Sequence, residues 1–189
     1  MILKKCKSIT AVTTSARRIS LLRKIKPDIR FTPPVYKEKN RRWFILPVLL
    51  CMYHAFRKGG MILCGKNEAL IAFDTIVYRY GNIFCKPKSG EEAMKTIRAL
   101  SNKRHKVVTS IFLKYAQRKR IYYRTSTVKF KRLSEDEIRQ YIAEDEWKDK
   151  AGGYGIQGHG RDLVEWYRGD LYNIIGLPLD LVIDLLKKD

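Results

Sequence analysis

Asp149-Lys150-Ala151-Gly152-Gly153-Tyr154-Gly155-Ile156-Gln157-Gly158-His159-Gly160 holds five of the chain's 12 glycines. Glycine serves where the backbone must reach positive φ or approach another group closely. Tyr154 offers an aromatic face inside this run, and Gln157 both donates and accepts hydrogen bonds. The combination suits recognition of a planar, polar ligand such as a nucleobase; the competing reading is a flexible surface loop. The spacing matches neither the G-x-G-x-x-G of a dinucleotide fold nor a phosphate loop ending in G-K-[ST].

Working outward, charge is the next signal. The chain has 189 residues, 39 Lys+Arg and 19 Asp+Glu, for a formal net charge of +20. Residues 1–60 carry 15 basic and 2 acidic side chains, whereas residues 145–189 carry 6 basic and 9 acidic. A basic amino-terminal third points to a polyanion: nucleotide phosphates, nucleic acid or an anionic membrane. Cys6, Cys51, Cys64 and Cys85 have no C-x-x-C spacing, and His54, His105 and His159 are scattered, so a zinc site is not expected. Reduced thiols and a cytoplasmic location are expected instead. Met1 to Lys7 lacks the apolar core of a signal peptide, and Trp43 to Phe56 is too short to span a bilayer.

Local patterns alternate between strand and helix. Ile9 to Thr14 reads as a buried strand, Ser15 as an N-cap, and Arg17 to Ile25 as a helix with Ile19, Leu22 and Ile25 on one side. A hydroxyl-rich turn thus feeds a helix N-terminus that carries Arg17 and Arg18, which favours a bound anion. Pro27 to Arg42 reads as loop or irregular strand. Pro47 to Lys58 reads as a helix closed by Gly59-Gly60. Ala69 to Tyr80 is strand-like, interrupted by Asp74-Thr75. A carboxylate amid Ile71, Phe73 and Val77 is costly unless paired or metal-bound, which makes Asp74 the catalytic candidate. Tyr80-Gly81-Asn82 turns the chain into the short strand Ile83 to Cys85.

Ser89 to Glu92 and Ser134 to Glu137 are capping boxes. They open helices with Ala93, Ile97 and Leu100, and with Ile138, Tyr141 and Ile142, facing inward. Between them, His105 to Tyr115 and Arg120 to Lys131 are strands around a basic turn from Gln117 to Lys119. Leu163 to Tyr167 and Leu171 to Ile175 read as strands, and Pro178 opens a last helix with Leu181, Leu185 and Leu186 on its face. The alternation indicates an α/β protein, taken as one domain over residues 1–189.

Several ordered segments then carry a family resemblance. They are Asp149 to Gly158, Ser15-Ala16-Arg17-Arg18 with Leu21-Leu22, Asp74-Thr75, Lys86-Pro87-Lys88 and Arg98-Ala99-Leu100-Ser101. Further along come Leu133 to Ile138 with Tyr141-Ile142, and Asn173 to Leu179. In these the chain resembles the Maf family, the septum-formation-associated nucleoside triphosphate pyrophosphatases. The resemblance implies an elongated mixed β-sheet flanked by helices, similar to the inosine triphosphatases. It implies hydrolysis of a nucleoside triphosphate to the monophosphate and pyrophosphate, with a divalent cation, magnesium or manganese. Many members are homodimers, which makes a second copy a candidate partner. The K-A-G-x-Y-G-I-Q-G form of the glycine motif is similar to the dTTP/UTP branch.

By the same resemblance Asp74 is general base or metal ligand. Thr13 and Ser15 supply the hydroxyls of the phosphate-binding turn, Arg17, Arg18, Lys58 and Lys86 bind the triphosphate, and Arg17, Thr75 and Gln157 match positions linked to pyrimidine specificity. The chain departs from the pattern at Thr13 for serine, Ala16 for proline, and Ala72-Phe73 for Gly-Ala, which puts a bulky ring beside Asp74. It departs again at Tyr36-Lys37-Glu38-Lys39. A plain alignment sets Lys37 on an acidic position, where it would repel a metal; a one-residue shift restores Glu38, expected as the second metal ligand. Two alternatives stand beside the enzyme: a degenerate nucleotide-binding member of the fold, and a basic nucleic-acid-binding module. Against the latter, no nucleic-acid motif or interleaved aromatic platform is evident.

Overall fold

The computed structural model describes residues 6–38, 46–116 and 118–187, with side chains through residue 185. Met1 to Lys5, Lys39, Arg41-Arg42, Trp43 to Ile45 and Gln117 therefore lie outside the described residues, as does the Leu186 side chain. Within them the chain runs β1 (Ser8–Val12), α1 (Ala16–Ile25), β2 (Arg30–Thr32), α2 (Pro47–Gly60), β3 (Glu68–Arg79), β4 (Asn82–Phe84), α3 (Gly90–Leu100), β5 (Arg104–Tyr115), β6 (Arg118–Phe130), α4 (Glu135–Ala143), β7 (Val164–Arg168), α5 (Leu171–Ile175) and α6 (Leu179–Lys187). The strands form a mixed seven-stranded sheet in the order β2-β1-β3-β5-β6-β7, with β4 also on β3. β1 is parallel to β2 and β3; the remaining pairings are antiparallel.

Strand alternation sends β3 side chains to two different layers. Ile71 and Phe73 pack with Leu22 of α1, Leu177, and Leu181 and Val182 of α6. Ala72 and Ile76 face α2, meeting Ala55 and, beside Leu50, Cys51. Farther along, α3, α4 and the glycine-rich segment close over Val77, Val107, Val128 and Phe130. Phe73 thus points away from the Asp74 side of the strand, so its bulk does not crowd that carboxylate.

One irregularity of the sheet positions everything that follows. β1 pairs with β3 only from Glu68 to Ala72, and β4 takes up the same edge only from Val77 onward. Phe73 to Ile76 are left without a strand on that edge among the described residues. Asp74-Thr75 does not interrupt β3, which continues paired to β5 throughout; the break lies in what flanks it. A gap of this kind, at the carboxyl end of a parallel strand, is where α/β sheets bind ligands.

Several local expectations need correction. Gly59-Gly60 does not close α2 from outside; both residues are in the helix and Met61 is the C-cap. Gly59 is there for space: a Cβ would sit 2.3 Å from the Phe112 ring. Leu171 to Ile175 is helix rather than strand. Asp170 caps it by accepting from the Tyr172 N–H at 2.7 Å, and Gly176 at φ 105° ends it. Those two caps override the β-branched preference of Ile174-Ile175. The Ser89 box is half formed, since Glu92 accepts from the Lys88 N–H, whereas the Ser134 box is complete.

Tyr154 touches the cleft only with a small part of its surface. It is 5% exposed, packs edge-on against His105 and Phe130, and shares a hydrogen bond of 2.7 Å with His105 Nε2. Burial lowers the His105 pKa from 6.5 to about 4. The native state therefore binds fewer protons than the unfolded chain between those values. This contribution to stability is complete above pH 6.5 and is lost as pH falls towards 4. It amounts to about 3 kcal/mol. Urea unfolding at neutral and acidic pH, with His105→Gln as comparison, should show a smaller acid loss in the variant; equal losses would refute this.

Candidate active site

The gap in the β3 edge opens into a cleft of about 250 Å³. Each wall comes from a different element. Ser15, Arg17 and Arg18 enter from the start of α1, where the chain leaves β1 beside the gap. Ser15 N-caps this helix, accepting from the Arg18 N–H at 3.5 Å, so the helix N-terminus faces the cleft. Lys86 follows β4, and Gln157 comes from the glycine segment; both line the cleft from exposed positions. That segment is shaped by Gly152, Gly153 and Gly158 at φ of 72°, 67° and 63°. Thr13 is the one expected site residue that does not line the cleft. It is buried, and its Oγ1 accepts from the Ser15 N–H at 3.1 Å, so it shapes the turn.

At the floor, Lys58 joins two carboxylates. Its Nζ lies 2.6 Å from Asp74 Oδ1 and 2.5 Å from Glu38 Oε1. Lys58 is 8% exposed and Asp74 3%. Burial pushes the Asp74 carboxyl above its usual pKa, the Glu38 charge adds to this, and Lys58 opposes it. Burial would lower Lys58, but the two carboxylates outweigh it and hold the ammonium above its ordinary value. For Glu38 the pull of Lys58 outweighs burial, and its carboxyl is lowered. One cation cannot neutralise two carboxylates, and the more buried Asp74 bears the excess. Its second oxygen, Oδ2, is buried and has no hydrogen-bond partner among the described residues. Buried oxygens are seldom left so.

These atoms fit a hard divalent cation. Asp74 Oδ2 is an unsatisfied anionic oxygen, and Glu38 adds a second carboxylate in the same cleft. Among the described residues no group of three or more His, Cys, Asp or Glu side chains forms a full cage. Magnesium and manganese sites commonly use one or two carboxylates and complete their shell with water and substrate phosphate. Lys37 and Glu38 are both exposed, but only Glu38 lines the cleft.

Arg18 differs from the free phosphate clamp expected of it. Its Nε donates to the Gly176 carbonyl and its Nη2 to Thr75 Oγ1, both at 2.7 Å. Thr75 Oγ1 lies 2.9 Å from Thr109 Oγ1, which donates to the Asn173 carbonyl. Arg18 thus ties α1 to β3 and α5 and fixes the Thr75 hydroxyl. Arg17 carries no such ties among the described residues; burial lowers its pKa, and the Asp149 carboxylate opposes this.

The cleft also holds His54, Asp149 and Lys150, polar residues given no role from sequence. The last two sit in the quoted glycine stretch. His54 is one helical turn before Lys58 on α2, a spacing that would have placed it. Its Nδ1 lies 3.1 Å from the Tyr36 hydroxyl, and the Tyr36 ring lies 5.2 Å from the Arg57 guanidinium. Tyr36 therefore docks the segment that bears Glu38 onto α2. Tyr36→Phe removes one hydrogen bond worth about 1 kcal/mol. It should lower any turnover at this site about fivefold while leaving the thermal midpoint within a few degrees. Unchanged turnover would show that the docking is idle.

A family model described as Maf-like protein matches residues 10–189. The chain belongs to the Maf family. A Thermosipho africanus relative named dTTP/UTP pyrophosphatase is 36% identical over 94% of this chain and 91% of its own. A Dictyoglomus turgidum relative of the same name is 34% identical over 96% of both. A Pyrococcus furiosus relative, again so named, reaches 47% over 64% of each chain. The match thus spans less than two thirds of the Pyrococcus furiosus and Pyrococcus abyssi relatives. A HAM1 protein from Coxiella burnetii shares the Maf chain's fold, with a TM-score of 0.54, 13% identity, and coverage of 96% of this chain and 99% of that one.

Proposed function

We propose that this Maf protein hydrolyses dTTP and UTP to the monophosphate and pyrophosphate. The observation that carries the reading is the buried Asp74 carboxylate, with one oxygen held by Lys58 and the other unpartnered, at the floor of a basic cleft. The names of the full-length relatives support the substrate class.

Each side chain has a task in this reading. Arg17 and Lys86 meet the triphosphate oxygens at the rim, together with the first N–H groups of α1. Lys58 fixes both Asp74 and Glu38. Asp74 Oδ2 accepts a hydrogen bond from the attacking water, and its raised pKa makes it a better proton acceptor than an ordinary aspartate. Asp74 and Glu38 would hold a divalent cation, which when bound offsets phosphate charge and polarises water. Gln157 offers an amide donor and acceptor to a pyrimidine edge, and the Thr75 hydroxyl, held by Arg18 and Thr109, is a fixed acceptor near it.

The same reading takes residues 1–189 as one domain acting in the cytoplasm, with a second copy as the expected partner. No helix among the described residues is long and apolar enough to cross a membrane. Pyrophosphate release measured across dTTP, UTP, the other common triphosphates and a methylated GTP tests the substrate. Preference for dTTP and UTP is expected. Equal turnover of all, or preference for the methylated purine, would overturn the assignment.

A further inference from the structure

β7 covers the outer edge of β6 only from Thr127 onward, where Thr127 pairs with Arg168. Arg118 to Thr125 therefore have no strand on that edge among the described residues. This stretch begins Arg118-Lys119-Arg120-Ile121-Tyr122-Tyr123-Arg124, with four cations and no acid in seven residues. Strand alternation puts Arg118, Arg120, Tyr122 and Arg124 on one face, and Lys119 and Tyr123 on the other. The four cations are exposed, Tyr123 is 47% exposed, and none of these cations makes an ion pair among the described residues. Lys119 lies directly opposite Lys114 on β5, a like-charge pairing that costs stability without an anion.

We propose that this free edge of β6 binds single-stranded nucleic acid. On one face Arg118 and Arg120 are about 6.6 Å apart, a step that matches phosphates along an extended strand, and Arg124 continues the same row beyond Tyr122. Protection of a bare edge against aggregation would be served by charge of either sign. It requires neither cations alone nor an exposed tyrosine among them. Arginines on one face and the exposed Tyr123 on the other, on either side of one edge, give a charged track for phosphates beside a stacking surface for bases. No such platform is evident in the sequence by itself; the edge position of β6 is what makes one. β5 separates this edge from β3 and the cleft, so the two surfaces are independent.

Fluorescence anisotropy of the full chain with a labelled single strand of about 20 nucleotides tests the proposal. Exchanging Arg118, Lys119 and Arg120 for glutamine should weaken binding at least about tenfold and flatten the slope of log affinity against log salt by about 2. Tyr123→Ala should weaken binding about fivefold or more with the slope kept. Both variants should melt like the parent and retain dTTP hydrolysis, which keeps this result separate from the fate of the enzymatic reading. Unchanged binding in the triple variant overturns the proposal. So does a silent Tyr123→Ala, or binding to phosphatidylserine vesicles without binding to the oligonucleotide.

Discussion

Asp74→Asn should lower pyrophosphate release from dTTP by at least about 100-fold while the protein still folds and binds nucleotide. The size is that of removing one interaction specific to the transition state. The amide oxygen can keep the Lys58 contact that Oδ1 makes at 2.6 Å. The amide nitrogen would then occupy the place of Oδ2, where it can neither accept a proton nor hold a cation. The substitution removes a buried charge that burial already disfavours, so the fold should tolerate it. Titration calorimetry with a non-hydrolysable dTTP analogue separates binding from turnover. Turnover close to wild type would remove Asp74 from the chemistry.

The second large effect concerns the Glu38 segment. Glu38→Ala should also cost about 100-fold in turnover, and Lys37→Glu should change little. Glu38 lines the cleft and reaches Lys58 at 2.5 Å, whereas Lys37 does not line it. Loss of Glu38 leaves Lys58 to Asp74 alone and removes the second anionic oxygen of the site. Both variants should be assayed with manganese present. A silent Glu38→Ala together with an activated Lys37→Glu would reverse the assignment and mean that the plain alignment was correct.

Much of this site was legible in the sequence because its chemistry is unusual wherever it appears. A carboxylate in an apolar strand, two arginines after a hydroxyl turn and a run of five glycines in twelve residues each demand a reason. The Ser134 capping box was legible because it acts over three residues, whereas at Ser89 only half of one forms. Features decided by distant contacts were not. Gly59 resembles a helix stop, yet its role depends on Phe112, more than fifty residues away. Arg18 resembles a free clamp until Gly176 and Thr75 are brought to it. Tyr154 resembles an open ligand platform until His105 and Phe130 enclose most of it. The break between β1 and β4 is a property of sheet register, which no local pattern encodes.

The central claim is that Asp74, at the break in the β3 edge, drives cleavage of a pyrimidine triphosphate into monophosphate and pyrophosphate. Phosphorus NMR of dTTP incubated with the wild-type protein and with Asp74→Asn, both with magnesium or manganese, tests it directly. The account predicts dTMP and pyrophosphate in equal amounts from the wild type and neither from the variant. Formation of dTDP and orthophosphate, or equal product from both proteins, would contradict it.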